Sequence, residues 1–137
     1  MLGKLGDGNY GFVFEGQAKL PNGGGGGQHW TRVAIKTTKD ISQATERAAL
    51  LSEMKVLGNL EPNLHLVNLA GTCVARSTLF GTWTDMYLLL EFCDKGNLRK
   101  YMLDHHDDFL TGPLEARRLL GFAHDVSTYS SSIMRAC

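Results

Sequence analysis

Three glycines, one lysine and one glutamate carry the chemistry this sequence offers. Gly6, Gly8 and Gly11 follow the pattern Gly-x-Gly-x-x-Gly, with Val13 two residues on. Glycines so spaced let backbone N–H groups approach phosphate oxygens without a Cβ in the way. By itself the spacing fits an ordinary hairpin turn equally well. Lys36 closes the stretch Val33-Ala34-Ile35-Lys36. Most strand lysines are merely solvated, but one beside such a hairpin can reach phosphates as a point charge. Glu53 falls three residues after Leu50 and four before Leu57, on the apolar stripe of a helical pattern. A carboxylate on that stripe calls for a cation, and Lys36 is the candidate.

The elements that must position these residues follow from periodicity. Residues 2–20 read as strand, glycine turn, strand, with Phe12, Val13 and Phe14 supplying β propensity. Pro21 to Gln28, with its glycine run, reads as an exposed flexible loop. A third strand centres on Val33 to Ile35. The period then changes: Leu50, Met54 and Leu57 recur at helical spacing, with Ser42 as the expected N-cap and Gly58 at the expected stop. Two apolar runs of strand length follow, Leu64 to Val74 and Met86 to Cys93. Gly96 to Asp104 and Pro113 to Val126 read as helices, the second opened by Pro113 at a favourable first position. The order is β-β-β-α-β-β, then helices. A dinucleotide-binding fold needs a helix directly after its glycines. Here a strand follows them, which excludes that reading.

Composition narrows the function classes. The chain has 137 residues, 43% hydrophobic and 20% charged, enough for one modest domain. Its 14 basic and 14 acidic residues balance, so neither a nucleic acid nor an anionic membrane surface is expected as partner. No apolar run has the length of a membrane span. Cys73, Cys93 and Cys137 are odd in number and far apart, which fits a reducing compartment better than a disulfide framework. Asp104 to Asp108 carries metal-ligand residue types without a zinc spacing, and reads as a polar turn between helices. His124-Asp125 has the look of half a metal-phosphohydrolase pair but lacks ligands on other helices. No metal site is expected, and Cys93 reads as packing rather than as a nucleophile.

The set of a glycine-rich loop, a Val-Ala-Ile-Lys lysine and a following helix glutamate resembles the small lobe of a protein kinase. Leu50 to Leu60, Leu66 to Cys73, Leu88 to Met102 and Arg117 to Val126 resemble receptor tyrosine kinases of the fibroblast and vascular endothelial growth factor receptor type. The likeness runs from Leu2 to Val126. It implies an α+β fold: an antiparallel five-stranded sheet plus one helix, followed by the first helices of the large lobe. Residues 1–93 would be small lobe and hinge, 94–126 incomplete large lobe, and 127–137 a divergent tail.

The resemblance also implies roles. Gly6, Gly8 and Gly11 would cover ATP phosphates, with Tyr10 at the loop tip. Leu5, Val13 and Ala34 would sandwich adenine. Lys36, oriented by Glu53, would hold the α- and β-phosphates. Leu90 matches the gatekeeper, and Glu91, Phe92 and Cys93 match the hinge. Leu57 and Leu69 match two members of the hydrophobic stack that links the lobes. The implied partners are ATP, with Mg²⁺ and a protein substrate in the complete domain, and a second copy of a parent membrane receptor. The domain would lie on that receptor's cytoplasmic side.

In kinases the helix containing Gly121 to Val126 continues into a His-Arg-Asp loop and an Asp-Phe-Gly metal site. Here Ser127, Thr128, Tyr129 and three more serines follow, and neither segment occurs. The helical period is expected to fail after Val126. The kinase likeness is then expected to break off, leaving a chain that cannot transfer phosphate alone and leaving Leu119, Leu120 and Phe122 unpaired. The alternative reading is a non-catalytic module that binds nucleotide weakly or competes for the parent's partners.

Overall fold

Strand alternation builds the sheet as the sequence suggests. The computed structural model describes residues 2–8, 11–21, 28–76, 81 and 83–136. The glycine run Gly23 to Gly27, Tyr10 and most of the connection 77–82 lie outside the described residues. β1 (Lys4–Gly8) and β2 (Gly11–Pro21) form a hairpin, followed by β3 (Gln28–Thr37), β4 (Leu69–Arg76) and β5 (Trp83–Glu91). All neighbours are antiparallel, in the order β1-β2-β3-β5-β4.

One helix, α1 (Ala44–Gly58), covers one face of the sheet. Leu50 and Met54 pack on Met86 and Leu88 of β5, with Ile41, Leu57, Leu69 and Leu90 around them. Each such side chain contributes about 1.5–3 kcal/mol on burial. Lys36 pairs in register with Leu88, so it shares that face. Val33 and Ile35, one position away, are buried on the opposite face. This is the α+β arrangement the resemblance implies: a five-stranded antiparallel sheet plus a helix, then further helices.

Those are α2 (Leu98–Asp104), α3 (His106–Thr111) and α4 (Pro113–Ala136). The chain divides into a sheet unit, Met1–Pro62 with Val67–Phe92, and a helical unit, Asn63–Leu66 with Cys93–Cys137. In the helical unit Gly96 adopts φ 70°, closing a turn in which its N–H donates to the Cys93 carbonyl. A side chain would be strained at that φ. Asn97 then caps α2, its Oδ1 accepting from Lys100 N–H at 2.8 Å. Tyr101 stacks on His105 and meets Phe109 and Phe122 edge-on. His65 pairs with Asp125 of α4 at 3.2 Å.

Four local expectations fail, each for a local reason. Ser42 does not cap α1; its N–H and hydroxyl both donate to Asp40 Oδ1, and Gln43 occupies the cap position without a side-chain bond to the helix backbone. Leu64 to Asn68 is turn and loop rather than strand. Asn63 Oδ1 accepts from His65 N–H there, and Leu64 is 99% exposed. The segment read as a polar turn contains α3, with Asp107 and Asp108 in its first turn, where carboxylates suit the helix dipole. Finally, α4 runs past Val126 to Ala136. Ser127 tolerates the helix because its hydroxyl donates back to the His124 carbonyl at 2.8 Å.

Candidate functional site

The site begins with a close approach that only glycine permits. A Cβ on Gly11 would collide with the Thr37 carbonyl at the end of β3. With hydrogen there instead, β2 lies flush on β3, and Val13 comes into register with Lys36. Gly6 pairs with Val13 and Gly8 with Gly11, so both project to the Lys36 face. Neither is glycine for internal packing, since a Cβ on Gly6 or Gly8 would meet nothing closer than 3.8 Å. Their bare backbone leaves room for an outside group.

Lys36 donates to Glu53 Oε2 of α1 at 2.5 Å. The two side chains keep 29% and 34% of their surface exposed, so the pair borders solvent and stays open to a ligand's charge. Lys36 sits midway along the sheet because its strand is paired on both sides, with β2 and β5. Glu53 is held by the buried Leu50 and Met54 that flank it on α1. Ala34 lies on the same face, in register with Leu90. Val13, Ala34, Lys36, Leu90 and the two glycines are thus gathered on one side of the sheet, while Leu5 sits exposed in β1. Leu57 and Leu69 both pack against the core cluster under α1 and β4.

Glu91 ends β5, and its backbone N–H donates to the Asn68 carbonyl at 2.9 Å. Its carboxylate accepts from Asn68 Nδ2 at 2.8 Å. Phe92 lies under the Arg32 guanidinium, 3.9 Å from carbon to ring centre. Cys93 is an exposed free thiol at the start of the helical unit. Among the described residues no group of three His, Cys, Asp or Glu could hold a metal ion. Among them, too, no helix is long and apolar enough to cross a membrane.

Two arrangements escape sequence reading. Asn68 and Glu91 lie 23 residues apart, and no local pattern links them. On the sheet's other face, Asp7 pairs with both Lys4 and Lys39 at 2.8 Å. Hydrogen bonds from Lys39 first, then from Lys4, hold the Asp7 carboxyl below its ordinary pKa. The Ser42 bonds do the same for Asp40. Tyr87 donates to Asp85 at 3.1 Å, and that bond, with partial burial, raises its phenol pKa.

Residues 1–131 match the family described as protein tyrosine and serine/threonine kinase. Similar proteins include platelet-derived growth factor receptor alpha of Gallus gallus and of Homo sapiens, each 35% identical over 81% of this chain. Human platelet-derived growth factor receptor beta is 34% identical over 79% of it. The chain spans about a tenth of the length of these relatives (9–10%). The resemblance to receptor tyrosine kinases carried by the sequence motifs is thus borne out, here through platelet-derived growth factor receptors. The family match runs past Val126, where the likeness was expected to break off. This chain therefore belongs to the protein tyrosine and serine/threonine kinase family, as a portion of a kinase domain of the receptor tyrosine kinase type.

Proposed function

We propose that this chain is the ATP-binding part of a protein tyrosine kinase domain. The observation that carries the reading is the Lys36–Glu53 ion pair, set on the same sheet face as Gly6, Gly8, Val13, Ala34 and Leu90. Val13, Ala34 and Leu5 supply apolar surface for adenine, next to Leu90 and the backbone of Glu91, and Cys93 is assigned to the hinge on family likeness alone. Lys36 places its ammonium on the α- and β-phosphates, and Glu53 holds it there against solvent. The bare backbone of Gly6 and Gly8 lets N–H groups close on phosphate oxygens. Tyr10 is assigned to the loop tip on family likeness alone.

In a complete domain this arrangement serves transfer of the ATP γ-phosphoryl group to a protein tyrosine. Magnesium would there neutralise phosphate charge, but the residues described offer no ligand set for it. No His-Arg-Asp or Asp-Phe-Gly segment occurs in the 137 residues. The chain alone thus binds nucleotide without transferring phosphate, since the base and the metal ligands are both required. The cytoplasmic side of a membrane receptor, and pairing of two such receptors, belong to the same proposal.

The test is a melting curve of the 137-residue chain with increasing ATP. Binding at one hundred times the dissociation constant stabilises by about 2.7 kcal/mol, a shift of several degrees. Lys36→Met should abolish the shift, read against that variant's own melting temperature without ATP because the substitution also leaves Glu53 without its cation. No shift at millimolar ATP would sink the reading. Phosphate transfer by the chain alone, lost in Lys36→Ala, would overturn the claim that it is catalytically silent.

A further inference from the structure

The face of the sheet turned away from Lys36 carries a charge cluster centred on Asp7, the residue between the first two loop glycines. In a regular strand, positions 4 and 7 project to opposite faces. Here the β1–β2 register shifts between Lys4 and Gly6, so Lys4 pairs with Phe14 and Asp7 with Phe12. The irregularity brings Lys4 and Asp7 onto one face. Asp7 accepts from Lys4 and from Lys39, each at 2.8 Å. Both ammonium groups also lie over the Phe12 ring, 4.3 and 5.5 Å from its centre.

Lys39 is the informative partner, because its backbone belongs to a junction. Thr37, two residues before it, donates its hydroxyl to the Met86 carbonyl of β5 at 2.9 Å. Thr38 is buried, and Gly11 packs against this same stretch of backbone. Asp40, one residue after, donates its N–H to Glu46 of α1 at 2.8 Å. The segment 37–40 is thereby tied to β5 and to α1, and through Lys39 and Asp7 to the glycine loop. Glu53 rides on that same α1.

We propose that Asp7 is a positioning residue, which fastens the glycine loop to the junction anchoring α1 so that the loop and the Lys36–Glu53 pair move together. The inference rests on the nucleotide-binding reading for its consequence, but its structural half can be measured without nucleotide. It also accounts for an acidic residue inside a loop proposed to approach phosphates. A free carboxylate there would repel them, and two lysines neutralise it.

The experiment is a double-mutant cycle on the 137-residue chain, with Asp7→Asn, Lys39→Met and the double variant. Two readouts are taken: hydrogen exchange at amides 6–8 and 11–13 without nucleotide, and ATP affinity from melting shifts. Each single variant should speed exchange at those amides about three- to fivefold, as expected for half-exposed ion pairs. Exchange in β5 should not change. Each should also weaken ATP binding several-fold, and the double variant should be no worse than either single. In the exchange readout without nucleotide, high salt should reproduce the effect in the wild type and leave Asp7→Asn unmoved. A carboxylate that merely repels phosphate predicts the opposite sign, with Asp7→Asn binding ATP more tightly. That result, or effects that simply add in the double variant, would overturn the proposal. If the wild type binds no ATP, the functional reading fails by itself. Exchange then decides the clamp: coupled acceleration supports it and unchanged exchange overturns it.

Discussion

In β5, Met86 and Leu88 keep 1% and 0% of their surface; in α4, Leu120 and Val126 keep 70% and 68%. The same residue types therefore do different work in the two units. The sheet unit closes a core of its own between α1 and β5 and buries Val33 and Ile35 on the other face. In the helical unit no described side chain is buried. What orders it is polar and aromatic: the ring cluster on Tyr101, the His65–Asp125 pair and the Asn97 cap. An open groove of about 860 Å³ runs beside Tyr101 and Phe122. The Lys36–Glu53 pair lies in the unit that can hold it rigidly, and rigid support is what a positioned charge needs.

The comparison is broken most directly by truncating one leucine in each unit. Leu88→Ala should cost about 2–5 kcal/mol, because the closed core cannot collapse into the gap. Leu120→Ala should stay within about 0.5 kcal/mol. Urea unfolding of both variants measures this, and equal losses would show a core in the helical unit as well. Next in size is Gly11→Ala. The collision with the Thr37 carbonyl should cost about 1–3 kcal/mol and pull β2 off the end of β3. A wild-type melting temperature in that variant would mean β2 does not need the close approach.

A smaller effect sharpens the account of the helical unit. Asn97→Ala removes the acceptor for Lys100 N–H and should cost about 1 kcal/mol. If the units are held by separate interactions, faster hydrogen exchange should appear in α2 and not in β5. Acceleration in both would show one cooperative unit.

How far the sequence discloses all this follows the same division. In the sheet unit, the helical spacing of Leu50 and Met54 names core residues correctly because one buried helix face imposes one period, and the unbroken apolar run ending β5 does so because a central strand is covered on both faces. Lys36 and Glu53 could be paired on paper because Glu53 lies on a stripe where a charge demands a partner. Asp7 with Lys39 could not, since a register shift decides which face Asp7 takes. Asn68 with Glu91 is invisible for a different reason: the pairing is made by the fold and has no local signature. The errors at Ser42 and at Leu64 to Asn68 come from short-range bonds between a side-chain oxygen and a backbone N–H two residues on, which outcompete propensity. In the helical unit a serine-rich stretch was expected to end α4. Backbone bonding carries the helix onward to Ala136, and Ser127 joins it through its hydroxyl rather than ending it.

The smallest expected effect concerns acid, and it falls only on the sheet unit. Asp7 and Asp40 both have folded pKa values below their ordinary 3.8. The charged groups facing Asp7 are Lys4 from its own strand and Lys39 from the segment after β3. Hydrogen bonds from Ser42 and Gln43, with the Arg47 charge as a lesser cause, stabilise the ionised Asp40. A depressed carboxyl stabilises the fold once pH exceeds the unfolded value, and that contribution disappears as pH falls through the folded one. Melting temperature should therefore hold steady from neutral pH to about 5 as far as these two groups are concerned. It should then decline below 3.8, with Asp7→Asn removing part of the decline. Carboxyl carbon shifts followed by NMR would give both midpoints directly. A midpoint for Asp7 at or above 3.8 would mean the lysines do not hold it in solution, and the two faces of the sheet would then be independent.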